Sequence, residues 1–136
     1  MTTGRVAWSM TALDGEVVVV TGASSGLGES MAERFAVEGA RVVLTARDAD
    51  RLESVADSLP TESLVAPADV RDSDAVDRVV DQTVGRFGRV DTLVNNAGVS
   101  LLGMTDSRTE LTEVSDDQFD TVLAVNLRGA FAFTRA

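Results

Sequence analysis

A doubly wound parallel sheet with helices on both faces is the fold class this sequence predicts, on three observations. Short β-branched runs alternate with amphipathic helical periods. A glycine-rich turn stands directly between the first such run and the first helix. The chain has 136 residues, 44% of them hydrophobic, enough for one core and one domain over 1–136.

The elements follow in order. Glu16 to Thr21 reads as the first strand, and Met31, Ala32, Phe35 and Ala36 mark the inner face of the helix behind it. Gly39 closes that helix where a left-handed residue is needed, and Arg41 to Ala46 is a second buried strand. Asp48 caps the next helix, in which Leu52, Val55, Ala56 and Leu59 recur at helical spacing before Pro60 stops it. Ser63 to Ala66 is a short third strand. Asp72 or Ser73 opens a helix with Val76, Val79, Val80 and Phe87 inward, and Val90 to Asn95 is a fourth strand. Residues 100–112 lack a period and read as a loop. Ser115 and Gln118 form a capping-box signature for a last helix whose stripe is Phe119, Val122, Leu123, Leu127 and Ala130. That helix reaches Ala136 without a stop signal, so the unit is expected to be truncated.

Composition removes several chemistries. The chain has 22 acidic and 12 basic residues, a formal net charge of −10, and every basic residue is Arg. An acidic surface with scattered Arg disfavours nucleic acid. There is no Cys and no His, hence no disulfide, thiolate nucleophile or imidazole base from this chain. Without Lys or Tyr, a Schiff base, a P-loop clamp and a phenolic acid are excluded as well. The longest aliphatic run, Val17 to Val20, is far below the roughly 20 residues of a membrane span. The first dozen residues, with Arg5 and Trp8, hold no signal-peptide core, so the expected location is the cytoplasm.

Chemistry concentrates at Gly22-Ala23-Ser24-Ser25-Gly26-Leu27-Gly28. Gly22 permits a tight turn, Gly26 lets backbone approach a pyrophosphate, and Gly28 lets the helix pack close to the strand. The free N–H groups at the helix start then face phosphate oxygens. A turn that only reverses the chain is the alternative, but the strand and helix on either side favour a nucleotide.

That turn, Asp69-Val70 after the third strand, Asn95-Asn96-Ala97-Gly98 after the fourth and Asn126 on the last helix together resemble the short-chain dehydrogenase/reductase family, from about Leu13 to Ala136. The resemblance implies an oxidoreductase moving hydride between a nicotinamide dinucleotide and a small-molecule alcohol or carbonyl. It assigns the pyrophosphate to the glycine segment, including Ser24, Ser25 and Leu27. It sets Asp69 and Val70 against the adenine, and gives Asn96, Ala97 and Gly98 sheet support and contact with the ribose. Asn126 is implied in an active-site group, and its amide, on an apolar stripe, needs partners in any case. The family's Ser, Tyr and Lys lie further along than residue 136, so this chain is expected to hold the cofactor half and to be inactive alone. A noncatalytic nucleotide-binding or interaction module is the alternative.

Cofactor choice turns on the end of the second strand, where a carboxylate favours the ribose hydroxyl of NAD. Ala46 and Arg47 stand there, favouring the phosphate of NADP, with NAD the lesser expectation, although Ser25 occupies a position where some family members carry a second basic residue. In strand order 3-2-1-4 the fourth strand lies at an edge unless later strands cover it, and Phe131 or Phe133 would be exposed. A homo-oligomer is therefore expected.

Overall fold

The computed structural model describes residues 11–101 and 110–136. The N-terminal segment with Arg5 and Trp8, and most of the expected 100–112 loop, lie outside the described residues. Within them run β1 (Val17–Thr21), α1 (Gly26–Val37), β2 (Arg41–Thr45), α2 (Ala49–Ser58), β3 (Ser63–Val65), α3 (Ser73–Phe87) and β4 (Thr92–Val94). A 3-10 turn at Leu111–Glu113 precedes α4 (Asp116–Leu123), which continues through π-helical Ala124–Gly129 into α5 (Ala130–Arg135).

The four strands form one parallel sheet in the order β3-β2-β1-β4. Alternation along each strand decides what lies on either side. Val18 and Val20 of β1 and Val42 and Leu44 of β2 face Ala32 and Ala36 of α1 and Leu52 and Val55 of α2. Val17, Val19 and Val43 face Val76 and Val79 of α3 together with Ala132 and Phe133 of α5. Both faces of a parallel sheet are thus covered, which is why its strands read as continuous apolar runs.

The caps read from sequence are present. Asp48 accepts from the Arg51 N–H at 3.1 Å, and Asp72 from the N–H groups of Asp74 and Ala75 at 3.0 and 3.1 Å. Ser115 and Gln118 form the reciprocal capping box. Gly39 takes φ +93° behind α1. Asp91 ties the start of β4 to β1: its carboxylate accepts from Val17 N–H at 2.8 Å, and its own N–H donates to the Val17 carbonyl at 3.0 Å.

Two readings are corrected. The fourth strand covers Thr92–Val94 only, and Val90, 40% exposed, lies before it. The last helix buries a different row from the predicted one. Phe119, Leu123 and Leu127 are exposed, whereas Gly129, Ala132 and Phe133 are buried, with Val125 packed beside them. Both rows are apolar, so periodicity could not choose between them; the small Gly129 settles it by allowing close approach to Val70. Of the two terminal phenylalanines, Phe131 is exposed and Phe133 is core. Among the described residues no helix is long and apolar enough to cross a membrane.

Candidate functional site

In a parallel sheet every strand delivers its C-terminal loop to the same edge, and a cleft forms there where the chain order reverses. Here β1 is the first strand and β4 and β2 flank it, so the reversal lies between β1 and β4. A cleft of about 680 Å³ opens at that edge.

Its floor is the glycine turn. Gly22 has φ +68° and Gly26 φ +59°, the left-handed region that L side chains avoid. Gly22 N–H and Ala23 N–H both donate to the Thr45 carbonyl, at 2.8 and 3.2 Å, which pins the turn to the end of β2. A Cβ on Gly28 would stand 2.1 Å from the Gly22 carbonyl oxygen, so the helix can start this close to the strand only with glycine there. Nothing stands within 4 Å of a Cβ built on Gly26. The turn is thus tightly packed at Gly28 and open at Gly26. Ser24 and Ser25 line the cleft, Ser25 being the extended residue before α1. Leu27, 69% exposed, Gly26 and Gly28 do not line it.

The next wall comes from β4. Asn96 donates from Nδ2 to the carbonyls of Thr21 and Gly22, at 3.0 and 3.3 Å. The Thr21 hydroxyl accepts from the N–H groups of Asn96 and Ala97, at 3.0 and 2.9 Å, and donates to the Val94 carbonyl at 3.2 Å. Asn96 therefore holds the glycine turn, with Ala97 and Gly98 beside it in the cleft wall. Asn95 turns away, donating to the Thr134 hydroxyl at 3.1 Å.

Asn126 is exposed, not a buried amide on the core stripe. Its Oδ1 accepts from Val99 N–H and its Nδ2 donates to the Val99 carbonyl, both at 2.8 Å. Val99 lines the cleft and Asn126 does not, so the contact of Asn126 with the cleft runs through that backbone segment.

On the far side, loops after β2 and β3 converge. Ala46, Arg47, Asp48 and Arg51 face Asp69, Val70 and Arg71 across the cleft. Asp69 is held by Arg71, whose Nε donates to both carboxylate oxygens at 3.0 and 3.1 Å and whose Nη2 reaches Oδ2 at 2.6 Å. The Arg71 guanidinium, with its backbone N–H and the charge of Arg47 adding to it, keeps the Asp69 carboxyl below the usual carboxylate range against the opposing effect of burial. Arg47 is exposed and makes no ion pair among the described residues. Three arginines against two aspartates leave this end one positive charge in excess, in a chain whose net charge is −10.

Sequence reasoning missed Arg51, Arg71, Val99, and Thr121 and Val125 of the last helix, all of which line the cleft. Arg51 and Arg71 each lie within six residues of the C-terminal end of a strand, a position that a parallel sheet brings to the cleft.

A parallel sheet in this order, a glycine turn from first strand to first helix, and Asn96 bonded across to that turn define a doubly wound, Rossmann-type fold with its crevice at the point where strand order reverses. Residues 16–136 match the short chain dehydrogenase family, and the chain belongs to it. It is 36% identical over 122 residues to an uncharacterized oxidoreductase of Thermotoga maritima, covering 89% of this chain and 46% of that protein. It is 36% identical over 127 residues to D-threitol dehydrogenase of Mycolicibacterium smegmatis, covering 91% and 46%. Among solved structures it resembles a 3-ketoacyl-(acyl-carrier-protein) reductase from Brucella melitensis complexed with NADH, at TM-score 0.84 and 40% identity, over 91% of this chain and 49% of that one. The chain thus spans about half the length of these relatives.

Proposed function

We propose that this chain is the dinucleotide-binding part of an oxidoreductase that moves hydride between NADP(H) and a small alcohol or carbonyl compound. The observation that carries the reading is the gathering, around one cleft, of the glycine turn, Asp69-Val70 and Asn96-Ala97-Gly98 at the ends of parallel strands. The residues fit a dinucleotide. Ser24 and Ser25 line the cleft at the start of α1, whose backbone N–H groups suit a pyrophosphate. When bound, the nicotinamide would supply the hydride chemistry.

This chain's own residues bind and orient. Ser24, Ser25 and the turn through Gly28 hold phosphate; Asp69 and Val70 face the adenine end; Asn96 keeps turn and wall in register; Asn126 positions the Val99 segment. The Brucella reductase carries NADH, which supports the class of cofactor. The choice of NADP(H) rests on this chain's Ala46 and Arg47: Ala46, not a carboxylate, directly follows β2, and Arg47 lines the cleft without an ion pair among the described residues. The whole protein is proposed to act in the cytoplasm and as a homo-oligomer. Light scattering over a dilution series tests the last point: a mass that stays at one chain down the series and up to high concentration refutes it.

Calorimetric titration with NADPH and NADH tests the main reading. Tighter NADPH binding that Arg47→Ala weakens supports it. Equal affinities, or tighter NADH binding unaffected by Arg47→Ala, overturn the NADP(H) choice, and absence of binding by either overturns the reading whole.

A further inference from the structure

Six carboxylates stand in pairs one helical turn apart on the outer faces of three helices: Glu53 and Asp57 on α2, Asp77 and Asp81 on α3, Asp116 and Asp120 on α4. All six are exposed, and none joins an ion pair among the described residues. Arg51 and Arg78 are the arginines nearest in sequence to the first two pairs, and each is paired elsewhere, with Asp48 at 3.4 Å and with Asp72 at 4.0 Å. Of the six only Asp116 stands in a first turn, where the helix dipole favours a carboxylate. Like charges at this spacing destabilise a helix, so each pair opposes the fold that presents it.

The core is a second, independent feature. Among the described residues its buried hydrophobic positions hold ten valines and eight alanines against two leucines and one phenylalanine. Stabilisation by burial scales with apolar area, so a core of small side chains leaves a thin margin against repulsion at the surface.

Distance decides what relieves that repulsion. Side chains one turn apart have Cβ atoms about 5–6 Å from each other. The Debye length is about 8 Å at 0.15 M salt and about 3 Å at 1 M, so dilute buffer leaves these pairs unscreened and molar salt screens them. Among the described residues no three acidic side chains are grouped to hold a metal ion, so the relief comes from a diffuse cation atmosphere and not from a bound ion. We propose that this protein is built to fold in concentrated salt, drawing stability from monovalent cations at about molar concentration around its acidic helices, and that its working medium holds such a concentration. The inference is independent of the cofactor reading above.

Urea, an uncharged denaturant, tests this in KCl from about 0.1 M to about 3 M. The urea midpoint should rise by about 1 M or more, with most of the rise above about 0.3 M KCl. NaCl should act like KCl, because screening depends on charge and concentration alone. Glu53→Gln/Asp57→Asn/Asp77→Asn/Asp81→Asn keeps the caps Asp48 and Asp72 and touches no residue of the cleft. It should raise the midpoint in dilute buffer and shrink the salt rise by about a third or more, and Asp77→Asn/Asp81→Asn should do the same to a smaller extent. A midpoint that levels off by about 0.3 M KCl overturns the proposal, and so does a strong preference for KCl over NaCl, the mark of a discrete ion site. Variants with the full salt rise of the unsubstituted chain show that salt acts other than through these carboxylates, and refute it as well. Sucrose strengthens burial without screening, so recovery of the whole gain by sucrose also counts against it.

Discussion

Thr21 and Thr45 are register partners at the C-terminal ends of β1 and β2, both 1% exposed, and their hydroxyls have opposite fates. That of Thr21 accepts from two backbone N–H groups and donates to a carbonyl, joining β1 to the Asn96 wall. That of Thr45 is buried with no hydrogen-bond partner among the described residues.

The near-isosteric change to valine should therefore act in opposite directions at the two sites. Thr21→Val strands the N–H of Ala97, while that of Asn96 keeps the Val94 carbonyl, and is expected to cost about 1–3 kcal/mol, with weaker nucleotide binding because the turn loses its brace. Thr45→Val removes an unsatisfied hydroxyl and should be neutral or up to about 1 kcal/mol stabilising. Denaturant unfolding of both variants measures this; equal losses would refute the contrast.

The two inner glycines of the turn separate strain from collision. At Gly26 an added methyl meets nothing but must adopt φ +59°, so Gly26→Ala should cost roughly 1–2 kcal/mol. At Gly28 the methyl would overlap the Gly22 carbonyl, a backbone atom that cannot rotate away. Gly28→Ala is expected to cost about 3 kcal/mol or more and to abolish nucleotide binding, as seen by calorimetry and thermal unfolding.

These glycines show what the sequence made legible. The left-handed turn at Gly22 and the close approach at Gly28 follow from spacing alone, because a strand, a tight turn and a helix admit few residue types at each point. The caps at Asp48, Asp72 and Ser115 and the left-handed Gly39 were equally local and equally readable, and the strand order followed from the doubly wound pattern of alternating strands and helices. The buried face of the last helix was not, because two apolar rows compete and the tie is broken by Gly129 against Val70, 59 positions away in the chain. The basic end of the cleft was hidden for a similar reason. Arg47 and Arg51 follow β2 and Arg71 follows β3, and the third joins the first two because those strands are neighbours in the sheet.

Acid should loosen the junction of β1 and β4. The Asp91 carboxylate, accepting from Val17 N–H and aided by Arg89, has its pKa lowered below the unfolded value near 3.9. A group depressed in the folded state contributes stability that is present above the unfolded pKa and lost as pH falls through the folded one. Asp69, lowered mainly by its bond to Arg71, has the same sign. Stability should thus fall on acidification below about pH 4, and Asp91→Asn, which keeps an acceptor for Val17 but no charge, should flatten that fall. An unchanged acid limb in unfolding curves of Asp91→Asn from pH 2 to 6 would show that Asp91 does not carry it.

The packing of Gly129 on Val70 couples the last helix to the nucleotide cleft. A methyl on Gly129 would lie 2.6 Å from Val70 Cγ2 and 2.9 Å from its Cβ, so either the helix retreats or Val70, which lines the cleft, is displaced. Alanine also favours helix by up to about 1 kcal/mol over glycine, which offsets part of an overpacking cost of about 1–3 kcal/mol. Gly129→Ala should therefore destabilise by about 1–2 kcal/mol net and weaken nucleotide binding, although Gly129 does not itself line the cleft. Val70→Ala removes the 2.6 Å collision with Cγ2 and leaves the tighter-than-normal 2.9 Å approach to Cβ, so in that background Gly129→Ala should cost clearly less than in the unsubstituted chain. The interaction energy of the double-mutant cycle should be about 1 kcal/mol or more. Strict additivity in unfolding free energy would mean that helix and cleft wall are not in direct contact.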